Sequence, residues 1–207
     1  MSIQTHPVSR NGGIKEIGWH PETAVADTRS IFSLVEMIYD FGGKCRCAEV
    51  FLSNMSVKQA KQWQGFFLGL NGQAGLFYLQ NVKGFRNPDG VATGLPVVAT
   101  GNSPLASNLL TEGWTTDVEG IMLRGDEFSI DDRIYTVTAD VDSDSSGDAT
   151  ISIWPNLPGT VPADSTSLDI GDDCRGVFRL EELPGWVNRL GDYQDGLSFN
   201  VREALNQ

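Results

Sequence analysis

Apolar and polar positions alternate most regularly between residues 113 and 157, and this stretch reads as short strands separated by turns. Phe128 and Ile130 alternate with polar neighbours, Asp131 and Asp132 make a turn, and Tyr135, Val137, Ala139 and Val141 share one face of the next strand. A polar loop over 142–148 then returns the chain into a strand on which Ala149, Ile151 and Ile153 lie on one side, and Pro155 stops it.

Earlier in the chain, Asn11-Gly12-Gly13, Pro21 and the segment 40–43 mark turns between extended stretches. Residues 31–41 (IFSLVEMIYDF) are apolar almost throughout, and periodicity does not decide between a strand and a short helix. From 44 to 52 the pattern is that of a half-buried strand, with Ala48, Val50 and Leu52 on one face. A helix follows. Ser56 and Gln59 have capping-box spacing, Met55 and Ala60 are placed as a hydrophobic staple, and Ala60, Trp63, Phe67 and Leu70 form one apolar stripe. Gly72 supplies the stop, and 75–79 (GLFYL) reads as a strand paired to that helix by a tight turn.

Residues 84–112 are rich in Gly, Pro, Asn and Ser, with one apolar run over 95–99, and read as a connection holding one strand. A second polar, proline-bearing stretch covers 158–173. Strand character returns at 176–180 and at 196–205, where Leu197, Phe199 and Val201 alternate. The two loop-rich stretches bracket a β block, which predicts a mainly β protein in two parts. Residues 1–100 together with 175–207 form one domain carrying a single packed helix, and 101–174 form a barrel-like insertion.

Charge narrows the range of partners. Fifteen basic and 27 acidic residues give a net charge of −12, which repels phosphate backbones and anionic membranes and makes specific nucleic-acid binding a poor expectation. The apolar neighbourhood 63–79 is broken by glycines and falls short of the roughly 20 residues of a membrane span. The first ten residues lack the apolar segment of a secretory signal, so folding in a cytoplasm is expected.

Candidate chemistry is sparse. Cys45 and Cys47 sit two apart in a strand and face the same way, but with Cys174 and only His6 and His20 to add they fall short of a structural zinc pattern. Structural thiols are expected. Placing Asp142 at position 1 of a calcium loop puts Asp144, Ser146 and Gly147 at positions 3, 5 and 6, but Ile153 then stands where the closing Glu belongs. The acidic loop reads as a solvated hairpin tip. Two histidines leave few ways to build a nucleophilic triad, and no nucleophile-elbow, zincin, P-loop or dinucleotide signature occurs. No catalytic, cofactor or metal residue is therefore assigned, and a non-enzymatic role is expected. Trp19, Trp63, Trp114, Trp154 and Trp186 are scattered near element ends, as expected for core or interface rings rather than a sugar platform.

Several segments are familiar in combination: Gly125-Asp126, the strand 133–137 (RIYTV), Ser143-Asp144 with Gly147, and Trp154-Pro155. Asn87-Pro88-Asp89-Gly90, Gly113-Trp114, the strand 176–180 and the closing 202–205 (REAL) extend the pattern. Together they resemble the distal tail proteins of long-tailed bacteriophages that infect Gram-negative bacteria. The likeness touches most of 60–205, is weakest over the first 55 residues, and departs from the pattern at Pro158, where an Arg is usual. It implies a β-sandwich end domain with one helix that packs into a six-fold ring, decorated by an inserted oligonucleotide/oligosaccharide-binding-like (OB-like) barrel. It further implies a structural virion protein, made in the host cytoplasm, that joins tail tube protein to hub or tip proteins and contacts tail fibres, with DNA passing through the ring. Ring contacts are expected around 56–79 and 176–205. The alternative is a carbohydrate- or receptor-binding module of the tail tip.

Overall fold

The computed structural model describes residues 3–7 and 13–205; the Asn11-Gly12 turn lies outside the described residues. Along the chain come β1 (Gln4–Thr5), β2 (Ile14–Trp19), β3 (Glu22–Arg29), β4 (Glu36–Cys45), β5 (Cys47–Leu52), β6 (Met55–Ser56) and α1 (Val57–Leu70). Next are β7 (Phe77–Leu79), α2 (Lys83–Arg86), β8 (Gly94–Val98), β9 (Asn108–Trp114), β10 (Glu127–Ile130), β11 (Arg133–Val137) and β12 (Ala149–Trp154). The chain closes with β13 (Asp169–Ile170), β14 (Gly176–Leu180), β15 (Tyr193–Gln194) and β16 (Ser198–Glu203). Strand outweighs helix, 41% to 12%, so the protein is mainly β with one packed helix.

Helix α1 starts as its sequence requires. The Gln59 amide N–H donates to Ser56 Oγ at 3.5 Å and the Ser56 amide donates to Gln59 Oε1 at 2.9 Å, completing the capping box. It ends one residue before the expected Gly72: Asn71 takes the left-handed conformation (φ 54°), which Asn tolerates better than most side chains. Its buried face is Ala60, Trp63, Phe67 and Leu70 with Phe66 added. Gly75 lets the chain turn back tightly, since a Cβ there would lie 2.3 Å from the Leu70 carbonyl oxygen.

That face lies on a six-stranded sheet of order β1-β7-β14-β16-β5-β2, antiparallel except for the β1–β7 pair. The C-terminal strands β14 and β16 sit inside the sheet between strands from the N-terminal half, so neither end of the chain completes it alone. Val50, Leu52, Leu79, Phe178, Leu180 and Val201 meet the helix in one core. Trp63 meets Phe66 edge-on and Phe67 at a tilt, both at 5.7 Å, and Phe67 meets Phe199 edge-on at 5.0 Å.

The second sheet has the order β13-β10-β11-β12-β9-β8. Its two edges meet. Val97 bridges Ser167, the Val98 N–H donates to Thr166 O at 2.8 Å, and the Leu168 N–H donates to Pro96 O at 3.0 Å, so the segment entering β13 pairs with β8 and the sheet curls shut. Leu109, Met122, Phe128, Tyr135, Val137 and Ile151 fill its interior. The sequence pattern puts the boundary of this part at residue 100, with one strand in 84–112. Instead β8 belongs to this sheet, pairing Val98 with Thr111 of β9, and Val98 is fully buried in the second core. A short run containing Pro96 between Gly-rich flanks carries too little periodicity to reveal that.

The two sheets share the β10–β11 hairpin. All four residues of β10 are buried, because Phe128 and Ile130 face the curled sheet's interior while Glu127 and Ser129 face the helix-bearing half. Likewise Tyr135 and Val137 point one way and Ile134 joins the first core. Arg46, between β4 and β5, holds this seam: Nη1 donates to Glu127 Oε1 at 3.2 Å, Nε to Ile134 O at 3.3 Å, and Nη2 to Thr136 Oγ1. Its guanidinium also lies between Trp19 (5.6 Å) and Trp154 (5.3 Å). Glu127 Oε2 accepts from Asn81 Nδ2 at 2.9 Å, and Asn81 Oδ1 accepts from Trp19 Nε1 at 3.2 Å.

Two substitutions test this arrangement. Trp63→Ala should destabilise the protein by about 3 to 5 kcal/mol through cavity formation. Arg46→Met should cost a similar amount, about 3 to 5 kcal/mol, because the Glu127 carboxylate would stay buried without its cation. Urea unfolding measures both, and a near-neutral Arg46→Met would mean that the seam does not depend on the charge pair.

Candidate functional site

Strands β3 and β4 form a two-stranded hairpin with no third strand on either edge among the described residues. The pairs Val25–Asp40, Asp27–Ile38 and Arg29–Glu36 fall on one face, and Ala26–Tyr39 and Thr28–Met37 on the other. The first face carries all four charged residues of these pairs with Val25 and Ile38 among them, and the second carries Ala26, Thr28, Met37 and Tyr39. Every residue of β3 is exposed, as are residues 36–41 of β4. The ambiguous run 31–41 therefore becomes the tip and second strand of this projection, not a core element.

Local hydrogen bonds shape the tip. Ser30 Oγ accepts from the Phe32 and Ser33 amides at 3.3 Å, the Leu34 amide donates to Ser30 O at 2.9 Å, and Leu34 turns left-handed at φ 57°. With the backbone satisfied internally, Ile31 and Phe32 point outward and are 83% and 93% exposed. Met37, Tyr39 and Phe41 continue the apolar surface down the hairpin. The Arg29–Glu36 pair across the hairpin is at 3.6 Å with both side chains more than half exposed, which adds little stability. A lone hairpin in water is marginal. Uncovered apolar area with two free edges suits association, through strand pairing at the edges and burial of that area.

The other sequence candidates resolve into structural roles. Cys45, Cys47 and Cys174 are buried and free, and desolvation raises the thiol pKa of all three, Cys47 and Cys174 to about 12. Among the described residues Cys47 gathers with Glu22 and Glu181, not with a histidine, and Glu22 is already paired with Arg202. A protonated thiol beside a carboxylate held by Arg202 is a poor donor set for a metal ion. His6 instead stacks on Trp63 at 5.9 Å, and burial lowers its pKa. His20 donates its backbone amide to Cys47 O at 2.9 Å.

The acidic loop ties itself together. Asp140 Oδ1 accepts from the Arg124 amide, Asp142 Oδ1 from the Gly120 amide, and Asp144 Oδ1 from the amides of Ser146 and Asp148, all at 2.7–2.9 Å. The amides from Asp148 and Ser146 hold the Asp144 carboxyl below its usual range. Gly147 is required there: φ is +80° and a Cβ would lie 2.4 Å from Trp114 O. Calcium-loop spacing thus arises from carboxylates that cap backbone amides. Trp63 and Trp114 are buried, while Trp19, Trp154 and Trp186 are half-buried.

The residues behind the family resemblance are also structural. Asp126 is buried and accepts from the amides of Asp89 (2.8 Å), Gly90 (3.1 Å) and Leu123 (2.8 Å), so Gly125-Asp126 and Asn87-Pro88-Asp89-Gly90 form one joint. Arg133 lies over Tyr135 at 5.4 Å and donates to Glu203 Oε1 at 2.9 Å, linking the 133–137 strand to the closing segment. Trp154 covers Arg46.

The hairpin's apolar residues touch neither core, so Ile31→Ser with Phe32→Ser should leave monomer stability within about 0.5 kcal/mol. Chemical unfolding at low protein concentration checks this, and a large loss would mean that the tip packs against its own chain. No protein-family model matches the sequence, and no curated protein is significantly similar to it.

Proposed function

We propose that this is a structural, self-assembling virion protein. Copies join into a ring at the distal end of a phage tail, between the tube and the tip or hub. The observation that carries the reading is the β3–β4 hairpin, which exposes Ile31, Phe32, Met37 and Tyr39, gathers its charges on one face, and pairs with no third strand among the described residues. Such an element buries its apolar side chains and satisfies its edges only against another chain. A hairpin that engages a different surface on the next copy makes a heterologous contact, and repetition of that contact forms a ring when its rotation closes.

The charged face fits this reading. It carries Asp27, Glu36 and Asp40 against Arg29, an acidic balance that would let DNA slide through a lumen without sticking. The segments that carry the family resemblance build the scaffold which projects the hairpin, and the absence of catalytic signatures agrees with a structural role. Contacts to tube, hub and fibre proteins would extend from the ring's two ends and from the curled sheet.

Light scattering and negative-stain electron microscopy of the purified chain test the proposal. Wild type should associate with rising concentration and show rings, whereas Phe32→Ser with Met37→Ser and Tyr39→Ser should remain monomeric with unchanged circular dichroism. A chain that stays monomeric at every concentration, or whose association survives these changes, would overturn it.

A further inference from the structure

A second surface feature stands out against the charge of the chain. A cavity of about 550 Å³ opens where β1, β2, β7 and α2 converge. It is lined by Lys15, Lys83, Arg86 and Arg175, and among the described residues no Asp or Glu lines it. Four of the fifteen cations of a chain with 27 carboxylates thus face one space.

The lining is rigid where its charge is already partnered and free where it is not. Arg86 donates to Asp172 at 2.9 Å and to Gln80 Oε1 at 2.6 Å, and Arg175 pairs with Asp132 at 2.9 Å while lying 4.1 Å over the Tyr78 ring. Lys15 and Lys83 are exposed and make no ion pair among the described residues. Two fixed guanidinium groups with two free ammonium groups make an anion receptor. Its size suits a loop carrying several carboxylates better than a single ion.

The chain itself supplies a matching surface. The loop 142–148 carries Asp142, Asp144 and Asp148 with no basic residue in it, and all three aspartates are exposed. Asp142 and Asp144 use Oδ1 to hold the loop, and the described hydrogen bonds leave their outer oxygens to solvent. Copies that each carry a charge of −12 repel at long range, so a stable assembly needs local contacts of opposite sign. We propose that the cavity between Lys15, Lys83, Arg86 and Arg175 receives the acidic loop 142–148 of a second copy of this chain.

This inference rests on the self-association proposed above, and it makes that contact head-to-tail: curled sheet of one copy to helix-bearing half of the next. Association of Lys15→Glu/Lys83→Glu should be weaker by roughly tenfold or more, the size that two partly exposed ion pairs supply. Asp144 and Asp142 tether the loop, so Asp148→Lys is the reciprocal variant. It should weaken association alone and regain it when mixed with the Lys15→Glu/Lys83→Glu chain. Raising salt should favour either variant relative to wild type, because it screens the repulsion common to all three and, in wild type, the docked ion pairs as well. Analytical ultracentrifugation reads all of these. A wild type that never associates would overturn the ring reading itself. Wild-type association that the lysine variant leaves unchanged would overturn this inference alone, as would mixing that restores nothing.

Discussion

The structure depends on one buried cation. Arg46 and Glu127 have side chains only 6% and 8% exposed, and the pair sits where two sheets with separate cores meet. A buried ion pair gains little over apolar packing, but it is costly to break, because either charge left alone loses its hydration without a replacement. Arg46 therefore acts mainly as a specificity device. Its donors reach Glu127, Ile134 O and Thr136 together, and they do so only when β10 and β11 lie in one register against β5. Flanking by Trp19 and Trp154 excludes water from the guanidinium and strengthens each contact.

That seam explains why β10 is buried on both faces. A strand of a half-solvated sheet alternates, whereas β10 closes the curled sheet on one side and covers the helix-bearing sheet on the other. The same seam reaches the end of the chain. The Arg46 amide donates to Glu203 Oε2 at 3.1 Å, and Glu203 also holds Arg133, so the closing strand, the 133–137 strand and the linker before β5 are one polar unit. Its residues position the two halves of the scaffold.

Against that scaffold the β3–β4 hairpin is the exception. Both cores are complete without it, and its apolar side chains stand in solvent. Exposure of Ile31 and Phe32 is unfavourable for an isolated chain, which is why the proposed assembly starts from this projection. The cationic cavity is a second unsatisfied surface, polar where the hairpin is apolar. The proposed assembly would use both kinds: apolar area to hold copies together, and charge to orient them.

Local physics made much of this legible in the sequence. The capping box at Ser56, the stripe through Trp63, and the alternation at Val50 and Phe199 each depend on neighbours a few residues away, and each appears in the fold. Where sequence reading stopped, the missing information was long-range. The run 31–41 is apolar by composition, and only the absence of any packing surface around it distinguishes an exposed hairpin from a core strand. The apolar run 95–99 reads as a strand, but which sheet it joins is decided only by the edges of the curled sheet that pair with it. The cationic cavity joins Lys15, Lys83, Arg86 and Arg175 from three distant parts of the chain, so no local pattern could announce it. Sequence by itself determined the capped helix and the regularly alternating strands, because period and capping are local. Tertiary structure decided which apolar and charged residues were left over, because that depends on what every other segment had already covered.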